Sequence, residues 1–125
     1  MNNPSMDRKP ELERELLDLL STFSPTIEVA NDAYQLSVSL AAKRAEVVWP
    51  HPFHEVFFDF WEGDRKVLSE SFEFYEGESD TELIEYLSSV LDRFLTNAIR
   101  VQVQGKFLKT TELQYQQGDV WNSVF

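Results

Sequence analysis

The stretch EVFFDFWEGDRKVLSESFEFY, residues 55–75, decides the fold. Its apolar residues recur at every second position on either side of Glu62-Gly63-Asp64-Arg65, so it reads as a hairpin of strands 55–61 and 67–75 joined by a short Gly-bearing turn. Val56, Phe58 and Phe60 then share one face with Leu68, Phe72 and Phe74, and that face is core. Parity sends Glu55, Phe57, Asp59 and Trp61 to the opposite face, beside Ser69, Ser71, Glu73 and Tyr75. The second face combines carboxylates with large rings.

Upstream, ELERELLDLLSTF after Pro10 sets Leu12, Leu16, Leu19, Leu20 and Phe23 on one helical stripe, with proline at the first turn and acids that suit the positive helix end. Ser24-Pro25 ends that helix near Phe23, because a residue before proline avoids helical angles. After a turn at Asn31-Asp32, Tyr34, Leu36, Val38 and Leu40 alternate with polar residues as in a half-buried strand. AEVVW, residues 45–49, is a further short strand closed by Pro50 and Pro52. His51 and His54 sit in the intervening loop as H-x-x-H, a two-ligand spacing with no third ligand in reach, and the loop is read as metal-free.

Downstream, Ser79-Asp80-Thr81-Glu82 has the form of a capping box, and Leu83, Leu87, Val90, Leu91, Phe94 and Leu95 keep helical spacing to about Asn97. Arg100, Gln102 and Gln104 alternating with Val101 and Val103, then Phe107 to Tyr115 after Gly105, read as two closing strands. The tail QQGDVWNSVF leaves two readings open, ordered by Trp121 and Phe125 or free. The order helix, strands, helix, strands with short connections predicts an α+β fold: an antiparallel sheet of about five to six strands with two helices packed mainly on one face. Residues 10–125 form a single domain, and residues 1–9, polar and proline-bearing, a flexible N-terminus.

The 125 residues carry a net charge of −11 and no cysteine, which excludes disulfides and thiolate metal sites and argues against an oxidising compartment. No apolar run reaches the roughly 18 residues of a membrane span and MNNPSMDRKPE has no signal-peptide core, so the expected address is cytoplasmic. A field of that sign repels phosphate backbones and anionic lipid, so neither nucleic acid nor a membrane is expected as a direct partner. No P-loop, G-x-G-x-x-G, G-x-S-x-G or Ser/Cys-His arrangement is present. Asp59 and Glu73 on facing strands resemble an acid–base pair only because carboxylates are so dense here. A non-catalytic protein without cofactor is the expectation.

Charge distribution points to function. Residues 55–85 hold eleven acids against Arg65 and Lys66, so nine of the eleven excess charges fall in about a quarter of the chain. Such a surface draws in cationic proteins and speeds their capture, while buried aromatic anchors prolong the complex. The candidate site comprises Glu55, Asp59, Glu73 and Glu76 for complementary charge, Trp61 and Tyr75 as anchors, and Glu62 and Asp64 as exposed turn contacts. Phe57 lies on the same face. The competing reading covers this face with a second layer, or with the tail carrying Trp121.

A small, cysteine-free, strongly acidic α+β domain with a charged aromatic face resembles the immunity proteins of bacterial toxin systems, such as those that accompany contact-dependent growth inhibition toxins. The resemblance is one of type, in size, charge and layout over the whole chain, without a shared motif. It implies a protein that binds and neutralises the toxin domain of its own cell, often a basic nuclease, and that is a monomer when free. The alternative is a small acidic secretion chaperone or regulatory adaptor, which would act as a homodimer with a groove for a peptide segment.

Overall fold

A computed structural model of the chain describes residues 10–30, 32–50, 55–73 and 80–125. The expected α+β architecture is observed. Helix α1 (Pro10–Leu19) and a 3-10 turn at Ser21–Phe23 precede five strands: β1 (Thr26–Ala30), β2 (Ala33–Leu40), β3 (Lys43–Pro50), β4 (Glu55–Glu62) and β5 (Arg65–Glu73). Helix α2 (Asp80–Thr96) is followed by β6 (Ile99–Gln104), β7 (Thr110–Gln117) and β8 (Val120–Ser123). The first five strands form one antiparallel meander in chain order, and the last three form a separate antiparallel sheet.

Period-two patterning builds the inner face of the larger sheet. Tyr34, Leu36 and Val38 of β2, Ala45, Val47 and Trp49 of β3, and Val56, Phe58 and Phe60 of β4 are all buried. They meet the stripe Leu12, Leu16, Leu20 and Phe23 from α1 with its following turn, and Leu83, Leu87, Val90, Leu91, Phe94 and Leu95 from α2. Each fully buried side chain of this kind contributes about 1.5–3 kcal/mol of transfer free energy, so this layer holds the fold. Its helices are also tied to the sheet electrostatically. Lys43 Nζ donates to the carbonyl of Phe94 at 3.0 Å and to that of Asn97, satisfying C-terminal carbonyls of α2 with a cation where the helix dipole favours one.

Two sequence expectations are corrected here, and the open reading of the tail is decided. The closing strands are three, not two, and they do not join the larger sheet. Phe107 is not in a strand, because Gly105, with φ +98°, turns the chain and β7 begins only at Thr110. A Cβ at Gly105 would collide with the backbone carbonyl of Leu108, so glycine is required at that turn. The tail is ordered, by Phe125 and also by Trp121, whose ring carries the Arg100 guanidinium 4.4 Å from its centroid. The Phe125 ring stands edge-on to Phe58 and Phe60, with centroids 5.5 and 5.7 Å away, and Arg93 donates to the Val124 carbonyl at 3.1 Å. Gly118, φ +62°, makes the β7–β8 turn that brings the tail back.

The small sheet thus closes the half of the core beneath β4 and β5 that the helices leave open. Leu113 and Val124 are fully buried there. The hairpin of β6 and β7 packs into the core at its Ile99–Tyr115 end, while toward its far end Val101 and Val103 are exposed, Val103 by 54%.

Candidate functional site

The outer face of the larger sheet carries no second layer among the described residues. Phe57 at its centre is 42% exposed. Cross-strand register fixes its neighbours: Val48 of β3 on one side and Ser71 of β5 on the other. Along β4, Glu55 and Asp59 flank it, and diagonally across the neighbouring strands stand Glu46 and Glu73. One exposed ring therefore sits within a square of four carboxylates.

The two ends of this face differ in charge. At the turn end, Trp61 lies between Arg44 and Lys66, whose charged groups are 5.2 and 5.4 Å from its ring centroid. Those cations also pair with acids: Arg44 with Glu46 at 3.4 Å, and Lys66 with Asp59 at 3.3 Å. Ser69 Oγ donates to Asp59 at 2.5 Å. At the other end, Glu55 and Glu73 are directly opposite each other, and no cation pairs with either among the described residues. Six positions along β4, about 20 Å at a strand's rise, separate a neutralised aromatic end from an uncompensated acidic one.

A bulge sets this arrangement. Pairing shifts by one between Phe60 and Trp61, so that Phe60 opposes Leu68 but Trp61 opposes Lys66, leaving Val67 as the extra residue. Strict parity placed Ser69, Ser71 and Glu73 correctly beside Asp59, Phe57 and Glu55; it did not bring Lys66 next to Trp61. Trp61, expected as an anchor for a partner, lies between two of the chain's own cations. Asp59 and Glu73 lie on facing strands as expected, four positions apart in register: Asp59 opposes Ser69 and Glu73 opposes Glu55.

Glu62 and Asp64 are placed differently again. Glu62 opposes Lys43 at the inner, helix-bearing side of the sheet and pairs with Arg65 at 3.7 Å, while Asp64 is exposed in the turn. Burial lowers the pKa of the Lys43 ammonium from the ordinary lysine value, and the nearby Glu62 carboxylate opposes that shift. Tyr75 and Glu76 lie outside the described residues, as do Phe74, Ser79 with its expected capping role, the His51–His54 loop and the expected flexible N-terminus at residues 1–9. Among the described residues, no group of three His, Asp or Glu is placed to hold a metal ion.

The acids of residues 55–85 are consequently not one patch. Alternation puts Glu62 and Glu70 on the side away from Phe57, and Glu82 and Glu85 lie exposed on α2. Two outer-face residues were missed, Glu46 and Val48, and the signal was present: Ala45, Val47 and Trp49 point inward, so Glu46 and Val48 must point out.

A concavity of about 300 Å³ lies at the seam between the two sheets, lined by Glu70, Ser71 and Phe72 of β5, Tyr86 of α2, Thr110 to Leu113 of β7, and Ser123 and Phe125. Burial raises the pKa of the Tyr86 phenol above its usual value; Arg93 opposes this and Glu70 adds to it. Among the described residues, no helix is long and apolar enough to cross a membrane. Searches for similar proteins return no matching family model, no matching curated protein and no matching solved structure.

Proposed function

We propose that this chain is an immunity protein that binds and neutralises a cationic toxin domain, a basic nuclease being the class that fits best, in the cytoplasm of the cell that makes the toxin. It acts by binding, without catalysis or cofactor, and the monomer is the capturing species. A nuclease must hold phosphates in a basic cleft, and carboxylates presented on a rigid sheet at similar spacing occupy or cover that cleft. Opposite fields steer such an encounter toward about 10⁸–10⁹ M⁻¹s⁻¹ at low salt.

The observation that carries the reading is the Glu55–Glu73 pair beside exposed Phe57. Like charges directly opposite on neighbouring strands destabilise a sheet by an amount within the roughly 0.2–1 kcal/mol range of cross-strand effects. Among the described residues, no cation of the chain itself approaches that pair. A partner's lysine or arginine would relieve the repulsion, with Phe57 as the desolvated anchor and Glu46 and Asp59 as the rim.

The test starts with pull-down from the source cell and identification of the bound protein, followed by stopped-flow capture of that protein. Glu55→Lys with Glu73→Lys should slow association by an order of magnitude or more. Phe57→Ala should act mainly on dissociation. A double variant that captures its partner as fast as the parent would show that the partner docks elsewhere.

A further inference from the structure

The β6–β7 tip, Gly105-Lys106-Phe107-Leu108-Lys109, is the most exposed apolar feature of the described chain: Phe107 is 99% and Leu108 86% exposed. It is also electrically unlike the rest. From Ala98 to Thr111 there are three cations, Arg100, Lys106 and Lys109, and no acid; with −11 overall, the other residues carry −14. A glycine-locked turn thus holds a ring and an aliphatic side chain in water between two lysines, on an arm anchored at one end. Contiguous exposed apolar surface of this kind marks a contact with something else.

The molecule itself displays the matching surface: Phe57 and Val48 among Glu46, Glu55, Asp59 and Glu73. Tip and face lie at the same end. Thr110 and Thr111 line the seam cleft against Glu70 and Ser71, two residues before Glu73. We propose that the tip of one copy docks on the outer face of a second copy, Phe107 and Leu108 against Phe57 and Val48, with Lys106 and Lys109 meeting the Glu55–Glu73 end. Because tip and face share an end, a two-fold axis there lets the two copies exchange arms and closes the contact as a dimer.

Other occupants are disfavoured on charge. Pairing of β6 with β6 of a second copy would gather Arg100 and Lys106 from both chains, and an anionic bilayer is repelled by the −14 elsewhere. The dimer covers the face through which capture is proposed, so it is the stored form, opened by dilution or by a tighter partner. It does not depend on what that partner is.

Sedimentation velocity on the full chain, from about 1 μM to about 1 mM at low salt, tests this over the affinity range open to a small contact. The expected result is a concentration-dependent shift from 14.6 kDa toward twice that mass, weakened at high salt as screening shortens. Lys106→Glu with Lys109→Glu, and separately Glu55→Lys with Glu73→Lys, should each remain monomeric, and mixing the two variants should restore the dimer through swapped charges. All four residues are on the surface, so circular dichroism should show both variants folded. Phe107→Asp should abolish association, and Gly105→Ala should weaken it by displacing the tip. A parent that is monomeric throughout, a dimer indifferent to the tip or face variants, or a mixture that fails to associate would overturn the proposal. So would a monomer that cosediments with phosphatidylcholine vesicles through Phe107, which would make the tip a membrane anchor.

Discussion

The five-stranded and three-stranded sheets are both antiparallel meanders of short strands, yet they treat their apolar residues in opposite ways. The larger sheet buries the inner face of its central strands: nine side chains of β2, β3 and β4 lie under the two helices and, at β4, under Phe125. The smaller sheet buries only its anchored end, through Ile99, Leu113, Tyr115 and the tail, and leaves Val101 and Val103 exposed. What separates them is coverage. The helical stripes cover β2 to β4, whereas Val101 and Val103 of β6 are left uncovered in the described chain. Stability therefore belongs to the first sheet, and the second has an arm free to make contacts.

The sharpest way to break this contrast is to truncate one apolar residue in each sheet. Phe60→Ala should lower unfolding free energy in urea by about 3–5 kcal/mol, whereas Val103→Ser should change it by no more than about 0.5 kcal/mol. Equal losses would mean that the arm is packed against something.

Phe125 joins the two sheets, and Phe125→Ala should cost about 2 kcal/mol, less than a fully enclosed ring. In hydrogen exchange the amides of β6 to β8 should lose protection while those of β2 to β4 keep theirs. Uniform loss would mean that the chain unfolds as a single unit.

A smaller effect, of opposite sign, is expected on the outer face. Glu73→Lys replaces the Glu55–Glu73 repulsion by an attraction and should raise stability by up to about 0.5 kcal/mol, measured by thermal melting at low salt. A gain in stability joined to a loss of toxin capture would separate the two roles of that pair. The smallest effect lies at the seam. Burial raises the Tyr86 pKa above 10.0, so its contribution is fully present below pH 10 and is lost as pH rises through the folded value. NMR titration of its ring should show this shift, and Phe125→Ala, by opening the cleft, should reduce it.

Much of this was legible from local pattern. The period of two identified the buried residues of β2 and β4, and the period of 3.6 most of those of both helices, although Leu19 of the α1 stripe is exposed and buried Ile84 was not on the α2 stripe; Gly63 marked the β4–β5 turn. Turn chemistry misled where it was atypical. The β2–β3 connection is Ala41-Ala42, with Ala41 at φ +54°, a left-handed conformation that alanine seldom adopts and that no turn residue announces. Missing that hairpin hid the true start of β3 at Lys43, and with it the inward and outward sorting of Glu46 and Val48. The β7–β8 hairpin, by contrast, carried a Gly118-Asp119 signal inside a tail whose order was left open.

By itself, then, the order of residues determined which side chains are inward, which are outward, and the excess of acid near the central hairpin, because alternation and helical spacing act over a few neighbours. Which carboxylates share a face, that Trp61 is held by Arg44 and Lys66 while Phe57 is left open, and that the last strands form a sheet of their own were decided by tertiary structure. The reason is physical: register, a one-residue bulge and the coverage of a sheet all depend on pairings between distant segments, whose energies no short window of sequence contains.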